Sequence, residues 1–254
     1  MADRLETLES STSRLASLVQ GLAPEQLNDQ SYATKWRFTD VLSHLGSGAI
    51  IVRRGVDATV SVDAMEDGFN QEVWDEWNAK TPLAKASDAL DADSALVDRL
   101  TALSDDQRAA FQFLMGPMTL DVDRFMTLRL SEHVLHTWDI DVMLDPDATL
   151  PADAVPFVLD VLPMIAGFAG ESDGEERVVT INTTNPARAF ELTITPDGLV
   201  LTPSSEQTSS SPDDVEVSSE ELVRLIYGRL DPAHTSSSSE SPQLDRLRKL
   251  FPGL

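Results

Sequence analysis

Apolar residues recur every three or four positions through the first half of the chain, where strand-like alternation is nearly absent. Leu5, Leu8, Leu15, Leu18, Val19 and Leu22 form one stripe, closed by Gly21 and the Ala23-Pro24 step. Phe38, Val41, Leu42, Leu45, Ala49 and Val52 predict a second helix that stops near Gly55. Thr81-Pro82, a capping residue with proline at the first helical position, opens a third helix bearing Leu83, Ala86, Leu90, Val97, Leu100 and Leu103. The fourth stretch, 121–144, is the longest. It follows the helix-breaking Gly116-Pro117 and carries Val122, Phe125, Leu128, Leu135, Trp138 and Val142. Four long helices, with a shorter helical piece at 69–77, predict a four-helix bundle.

After Asp145-Pro146 the period changes. Residues 151–168 read as one more helical segment, and period-two alternation then appears in 178–183 (VVTINT) and 190–194 (FELTI). A turn at 195–198 (TPDG) leads into 199–202 (LVLT), which predicts a hairpin. Ser218 and Glu221 make a capping box for a helix that Gly228 stops. The serine tract 235–241 reads as a mobile loop before a last short helix at 243–251. The expected fold class is therefore α+β, with a helical bundle over 1–146 and a small α+β domain over 147–254.

Composition narrows the chemistry. The 254 residues include 43 Asp and Glu against 19 Lys and Arg, a formal charge of −24. Such a field repels nucleic acid and anionic lipid, so neither is an expected partner. The N-terminal residues lack the apolar core of a signal peptide, and the most apolar stretch, 154–170, is interrupted by Pro156, Asp160 and Pro163. A cytoplasmic location is expected. The absence of cysteine excludes Cys-ligated zinc, iron–sulfur clusters and a cysteine nucleophile. Thiol chemistry here needs a thiol from outside the chain.

Of the four histidines, His44 lies on the second helix with Val41, Gly48 and Ile51, and Gly48 leaves space beside its imidazole. Glu132 and His136 are an i,i+4 pair on the fourth helix, on the stripe of Phe125, Leu128 and Arg129. A carboxylate on an inward stripe is costly unless it is paired or binds a metal. His44, Glu132 and His136 would supply three ligands and leave a position open, the count of a catalytic site. The same residues also fit hydrogen-bonded core histidines and a chance E-x-x-x-H pair. His133 points about 100° from Glu132 and reads as a surface or interhelical residue, and His234 as solvated. Asp139 fits either an acceptor that orients the His136 ring or an ordinary polar position.

The stretches WRFTDVLSHL (36–45) and RLSEHVLHTWDI (129–140) resemble the two signature segments of the mycothiol-dependent maleylpyruvate isomerase family, within the DinB-like superfamily. The resemblance implies that His44, Glu132 and His136 ligate a divalent metal, zinc first, and that mycothiol is the thiol cosubstrate. The second half is similar to that family's sterol-carrier-like (SCP2-like) domain, whose helix ends in Gly-Arg, here LIYGR (225–229). The implied partners are a thiol and a small electrophile.

Two features depart from the family pattern. The run before the tryptophan, YATKWR (32–37), lacks the usual cap, which leaves the start of the second helix to Thr39 or uncapped. Residues 55–79 contain no Lys or Arg, although a dicarboxylate needs fixed cations. Arg53, Arg54, Arg129 and Arg229 remain as candidates, each also readable as an ordinary surface or ion-pairing residue. Arg229, placed just after the Gly228 stop, is the candidate catalytic arginine. The missing cations favour a general thiol transferase over a maleylpyruvate isomerase. Two other readings are a non-catalytic metal- or ligand-binding protein, and iron in the two-His-one-carboxylate set, which is usually carried on a β-barrel.

Overall fold

The computed structural model describes residues 3–61, 66–116, 118–205 and 214–253. The chain divides into two compact units, Met1–Ala154 and Val155–Leu254.

In the first unit, α1 (Arg4–Gly21) starts at a capping box: Glu6 N donates to Asp3 Oδ1 at 2.9 Å, and Asp3 N donates to Glu6 Oε2 at 3.1 Å. Helix α2 (Phe38–Ser61) runs past Gly55 to Ser61. A single glycine weakens a helix without ending it, and here Gly55 lets the Phe113 ring sit against the backbone. The start of α2 is held by Asp40, whose Oδ2 accepts from Arg37 N at 2.9 Å, whereas Thr39 Oγ1 is enclosed without a hydrogen bond. Helices α3 (Phe69–Ala79), α4 (Pro82–Thr101) and α5 (Asp105–Ala110) follow, α4 capped by Thr81 as its sequence predicts. Two three-residue strands, β1 (Phe113–Met115) and β2 (Met118–Leu120), pair antiparallel before α6 (Val122–Leu144), which Asp121 caps.

Helix α2 packs on α4 and α6, and α1 packs on the same two helices, which closes a four-helix bundle. Its core includes Leu15, Phe38, Leu42, Leu45, Trp77, Ala89 and Ile140. Helix α6 is buried on nearly all sides, although Arg129, His133, Thr137, Asp139 and Asp141 lie on it. These buried polar groups need partners, and they find them on α1, α2 and α4 or along α6 itself.

In the second unit, 151–168 is not one helix but two, α7 (Val155–Leu159) and α8 (Leu162–Ala169). Pro163 lacks the N–H that a continuous helix would use, so the chain turns at Asp160 and restarts. Strands β3 (Arg177–Thr184), β4 (Arg188–Thr195), β5 (Gly198–Ser204) and β6 (Val215–Ser218) form a sheet in the order β5-β4-β3-β6, antiparallel except for β3 with β6. The alternation seen in the sequence becomes one buried face, with Val179, Ile181, Phe190, Leu192, Ile194 and Leu201 enclosed. Helix α8 packs on β5, and α9 (Ser219–Ile226) on β3 and β6.

The serine tract corrects an expectation. Ser236 N donates to Glu221 Oε1 at 2.9 Å and Ser239 Oγ to Glu221 Oε2 at 2.8 Å, so the tract is a hydrogen-bonded turn over the start of α9. Helix α10 (Pro242–Leu250) follows it.

Candidate metal centre

The site is built where α2 meets α6. The apolar stripes of the two helices require this contact, and the same faces carry His44 on α2 and Glu132 and His136 on α6. One nitrogen of each imidazole and one Glu132 oxygen all lie within 4.8 Å of one another. Glu132 Oε2 is 3.3 Å from His44 Nε2 and 3.6 Å from His136 Nε2. The side chains of His44 and Glu132 are 39% and 41% exposed and that of His136 is 11% exposed, so the cluster opens to solvent on one side.

Two surrounding residues fix this geometry. His136 Nδ1 lies 2.9 Å from Oδ2 of the fully buried Asp139, which orients the ring with Nε2 toward Glu132. Trp36 closes one wall, its ring 5.3 Å from the His136 ring in stacked geometry and 4.9 Å from the His44 ring. The loop bearing Trp36 is itself pinned, since the Trp36 carbonyl accepts from Gln30 Nε2 at 2.6 Å and from Ser31 Oγ at 2.7 Å.

The electrostatics suit a cation. Burial lowers the His44 pKa, with His136 and Arg129 adding to the effect and Glu132 opposing it, so the imidazole is neutral and its lone pair is available. Burial would raise the Glu132 pKa, but the adjacent imidazoles of His136 and His44 outweigh it and hold the carboxyl well below the usual range. Two imidazoles and one carboxylate are a donor set that fits a divalent metal such as zinc.

A second polar cluster crosses the bundle core. Asp93 on α4 accepts from Arg129 Nη2 at 2.6 Å through Oδ1, and its Oδ2 lies 3.1 Å from His133 Nε2. His133 Nδ1 in turn meets Ser11 Oγ at 2.7 Å. His133 is therefore an interhelical residue, fully buried, and takes no part in the His44 cluster. Asp93 carried no motif, although a carboxylate on the inward stripe of Ala86, Ala89, Leu96 and Leu100 signals a buried partner.

The other candidates fall as follows. Arg54 pairs with Glu66 at 2.9 Å, and Arg53 is exposed. Arg229 is buried, its Nη1 donating to the Tyr227 carbonyl at 2.8 Å. Its backbone N donates to the Arg224 carbonyl at 2.7 Å, just after Gly228 turns the chain at φ +68°. His234 is partly enclosed rather than solvated, with Nδ1 2.9 Å from Asp231 Oδ1.

A four-helix bundle presenting two imidazoles and a carboxylate at one open site defines a class of candidate metal-binding proteins. Residues 8–141 match the family described as mycothiol maleylpyruvate isomerase N-terminal domain, and the chain belongs to that family. The chain shares its fold with the crystal structure of the mycothiol-dependent maleylpyruvate isomerase, at TM-score 0.65 and 16% identity over 96% of this chain and 98% of the other. A histidine-to-alanine mutant of that isomerase matches at TM-score 0.65 and 14% identity over the same shares. No curated protein sequence matches this chain. Among the described residues, no helix is long and apolar enough to cross a membrane.

Proposed function

We propose that the protein is a metal-dependent enzyme that uses a low-molecular-weight thiol, mycothiol, to transfer to or isomerise a small electrophile. The observation that carries this reading is the convergence of His44, Glu132 and His136 at an open site, in a family named for mycothiol chemistry. A divalent metal held there, zinc first, would keep a coordinated thiol in its thiolate form at neutral pH. The chain's own residues do the rest. Asp139 fixes the tautomer and orientation of His136, Glu132 balances charge, and Trp36 excludes water from one side of the two imidazoles.

The reaction class follows from a thiol and an activated double bond. Addition of sulfur to one alkene carbon moves the π pair onto the conjugated carbonyl and leaves a single bond that rotates. Return of that pair expels the same sulfur and gives the trans isomer; protonation and release of the adduct instead gives transfer. The lack of Lys and Arg in 55–79 favours the transferase outcome. Arg229 is our candidate in the second unit for an anionic substrate group, on the strength of its place directly after the Gly228 turn.

The test compares zinc-loaded and metal-stripped protein for conjugation or cis–trans conversion of a cis-alkene 1,2-dicarbonyl electrophile in the presence of mycothiol. We expect turnover in the loaded form alone, and a fall of at least tenfold in Arg229→Ala with zinc retained. Zinc retention without thiol consumption or isomer conversion would make the protein a metal-binding member without catalysis.

A further inference from the structure

Arg129 joins three helices of the bundle beside the candidate metal centre. It lies on α6 three residues before Glu132 and seven before His136, so its side chain leaves the helix on their side. Nη2 donates at 2.6 Å to Oδ1 of Asp93 on α4, and at 2.9 Å to the carbonyl of Leu45, the residue after His44 on α2. The side chains of Arg129 and Asp93 are 5% and 2% exposed, so water competes for neither. Gly48 makes the approach to α2 possible. A Cβ at that position would lie 3.1 Å from Arg129 Nη1, and it would meet no other side chain or packed neighbour within 4 Å among the described residues. Glycine inside a helix is less favourable than alanine, so α2 is weakened at the turn where the guanidinium rests against it.

Stability does not account for this arrangement. Two charges taken out of water recover their desolvation cost only when their polar atoms are well satisfied, and apolar residues of similar volume often serve the fold as well or better. Here Arg129 Nε is enclosed and makes no hydrogen bond among the described residues. What the contacts do fix is a spacing. The ligand set is divided between two helices, His44 on α2 and Glu132 with His136 on α6, and a metal needs all three donor atoms about 2.0–2.2 Å from one point. The two α6 ligands keep their mutual position through the helix itself. A small slide of α2 would move His44 alone away from them. Arg129 ties α2 one residue from His44 to α6 one turn from Glu132, and Asp93 holds the guanidinium from the third helix.

Resting on the metal-dependent function proposed above, we infer that Arg129 and Asp93 are positioning residues of the metal centre, which set the spacing of α2 and α6 so that His44 meets Glu132 and His136 at one ion. They touch neither metal nor substrate and act through the Leu45 carbonyl and the helix that carries it. The rival view is that the pair only fills and holds the core.

The double variant Asp93→Asn with Arg129→Met separates the two views. It removes both charges together, so neither is left buried alone, methionine fills much of the arginine's volume, and asparagine keeps a carbonyl oxygen for His133, which lies 3.1 Å from Asp93 Oδ2. Three quantities are read on native and variant protein: the denaturant midpoint of the metal-free form, zinc affinity by competition with a chromophoric chelator, and the visible spectrum after cobalt substitution. We expect the midpoint to stay at the native value, zinc affinity to fall by about tenfold or more, and the cobalt band to change in intensity because one ligand no longer closes on the ion. Gly48→Ala decides the matter if the double variant is unstable. Its methyl displaces the guanidinium while both charges remain, and zinc affinity should fall by about threefold or more. Native zinc affinity and a native cobalt spectrum in both variants would overturn the assignment, and a native protein that binds no zinc would overturn the metal centre with it. Zinc affinity that depends on the pair in a protein that consumes no thiol would support the assignment and overturn the enzymatic reading alone.

Discussion

At the scale of single residues, neighbours on one helix have opposite tasks. His133 and His136 are both buried, yet only His136 shares a face with Glu132, while His133 bridges Ser11 and Asp93. Helical periodicity alone separates their directions, so the shared face of Glu132 and His136, with His133 left off it, was readable before any coordinates. What periodicity could not supply was the partner of His133, because Asp93 lies 40 residues earlier on another helix. Trp36 was visible only as a letter of a motif; its contact with both imidazoles depends on a loop that no period describes. His136→Ala should lose zinc, whereas His133→Ala should retain it but unfold more easily, by about 1–3 kcal/mol for each of Ser11 and Asp93 left without its partner. Metal content by plasma emission and denaturant midpoints for both variants check this, and equal zinc loss in the two would undo the ligand assignment.

At the scale of elements, long helices with caps were legible and short pieces were not. Thr81 and Ser218 cap the helices their positions announce. The β1–β2 hairpin has three residues per strand, too few for alternation to register, and the four residues of β6 become a strand only by pairing with β3. The serine tract looked mobile because its order comes from a carboxylate outside it. Glu221 caps α9 and also accepts from Ser236 and Ser239. Burial alone would raise its pKa, but these donors and Ser218 bring it from 4.5 to about 2. A carboxyl depressed on folding adds stability that is complete above pH 4.5 and is lost as the pH falls from there toward 2. Glu221→Gln should therefore be less stable than the native protein at pH 7 and should lose less stability between pH 4.5 and 2. Parallel acid-denaturation curves for the two proteins would show that the carboxylate does not couple the turn to the helix.

At the scale of the whole molecule, the charge balance sets a condition that no single contact reveals. With 43 carboxylates and 19 Lys and Arg, most acidic groups have no basic partner even if every cation is paired. Many cations are already committed at short range, as in Arg99 with Asp57, Arg129 with Asp93 and Arg177 with Asp173. The surplus carboxylates repel one another across distances comparable to the molecule, and that repulsion disfavours the compact state. Salt acts differently on the two sets. Raising NaCl from 10 to 150 mM shortens the screening length from about 30 to about 8 Å, which suppresses the long-range repulsion, while contacts of direct hydrogen-bond length and partial burial are weakened far less. The net effect should be stabilising. We expect the melting temperature at pH 7.5 to rise by about 2–4 °C over that range, the shift that ~1 kcal/mol produces in a chain of this size. The measurement is differential scanning calorimetry of zinc-loaded protein, with choline chloride as a second salt to separate screening from any specific effect of sodium. A melting temperature that falls with both salts would mean that the paired cations, and not the unpaired carboxylates, govern the electrostatic part of stability.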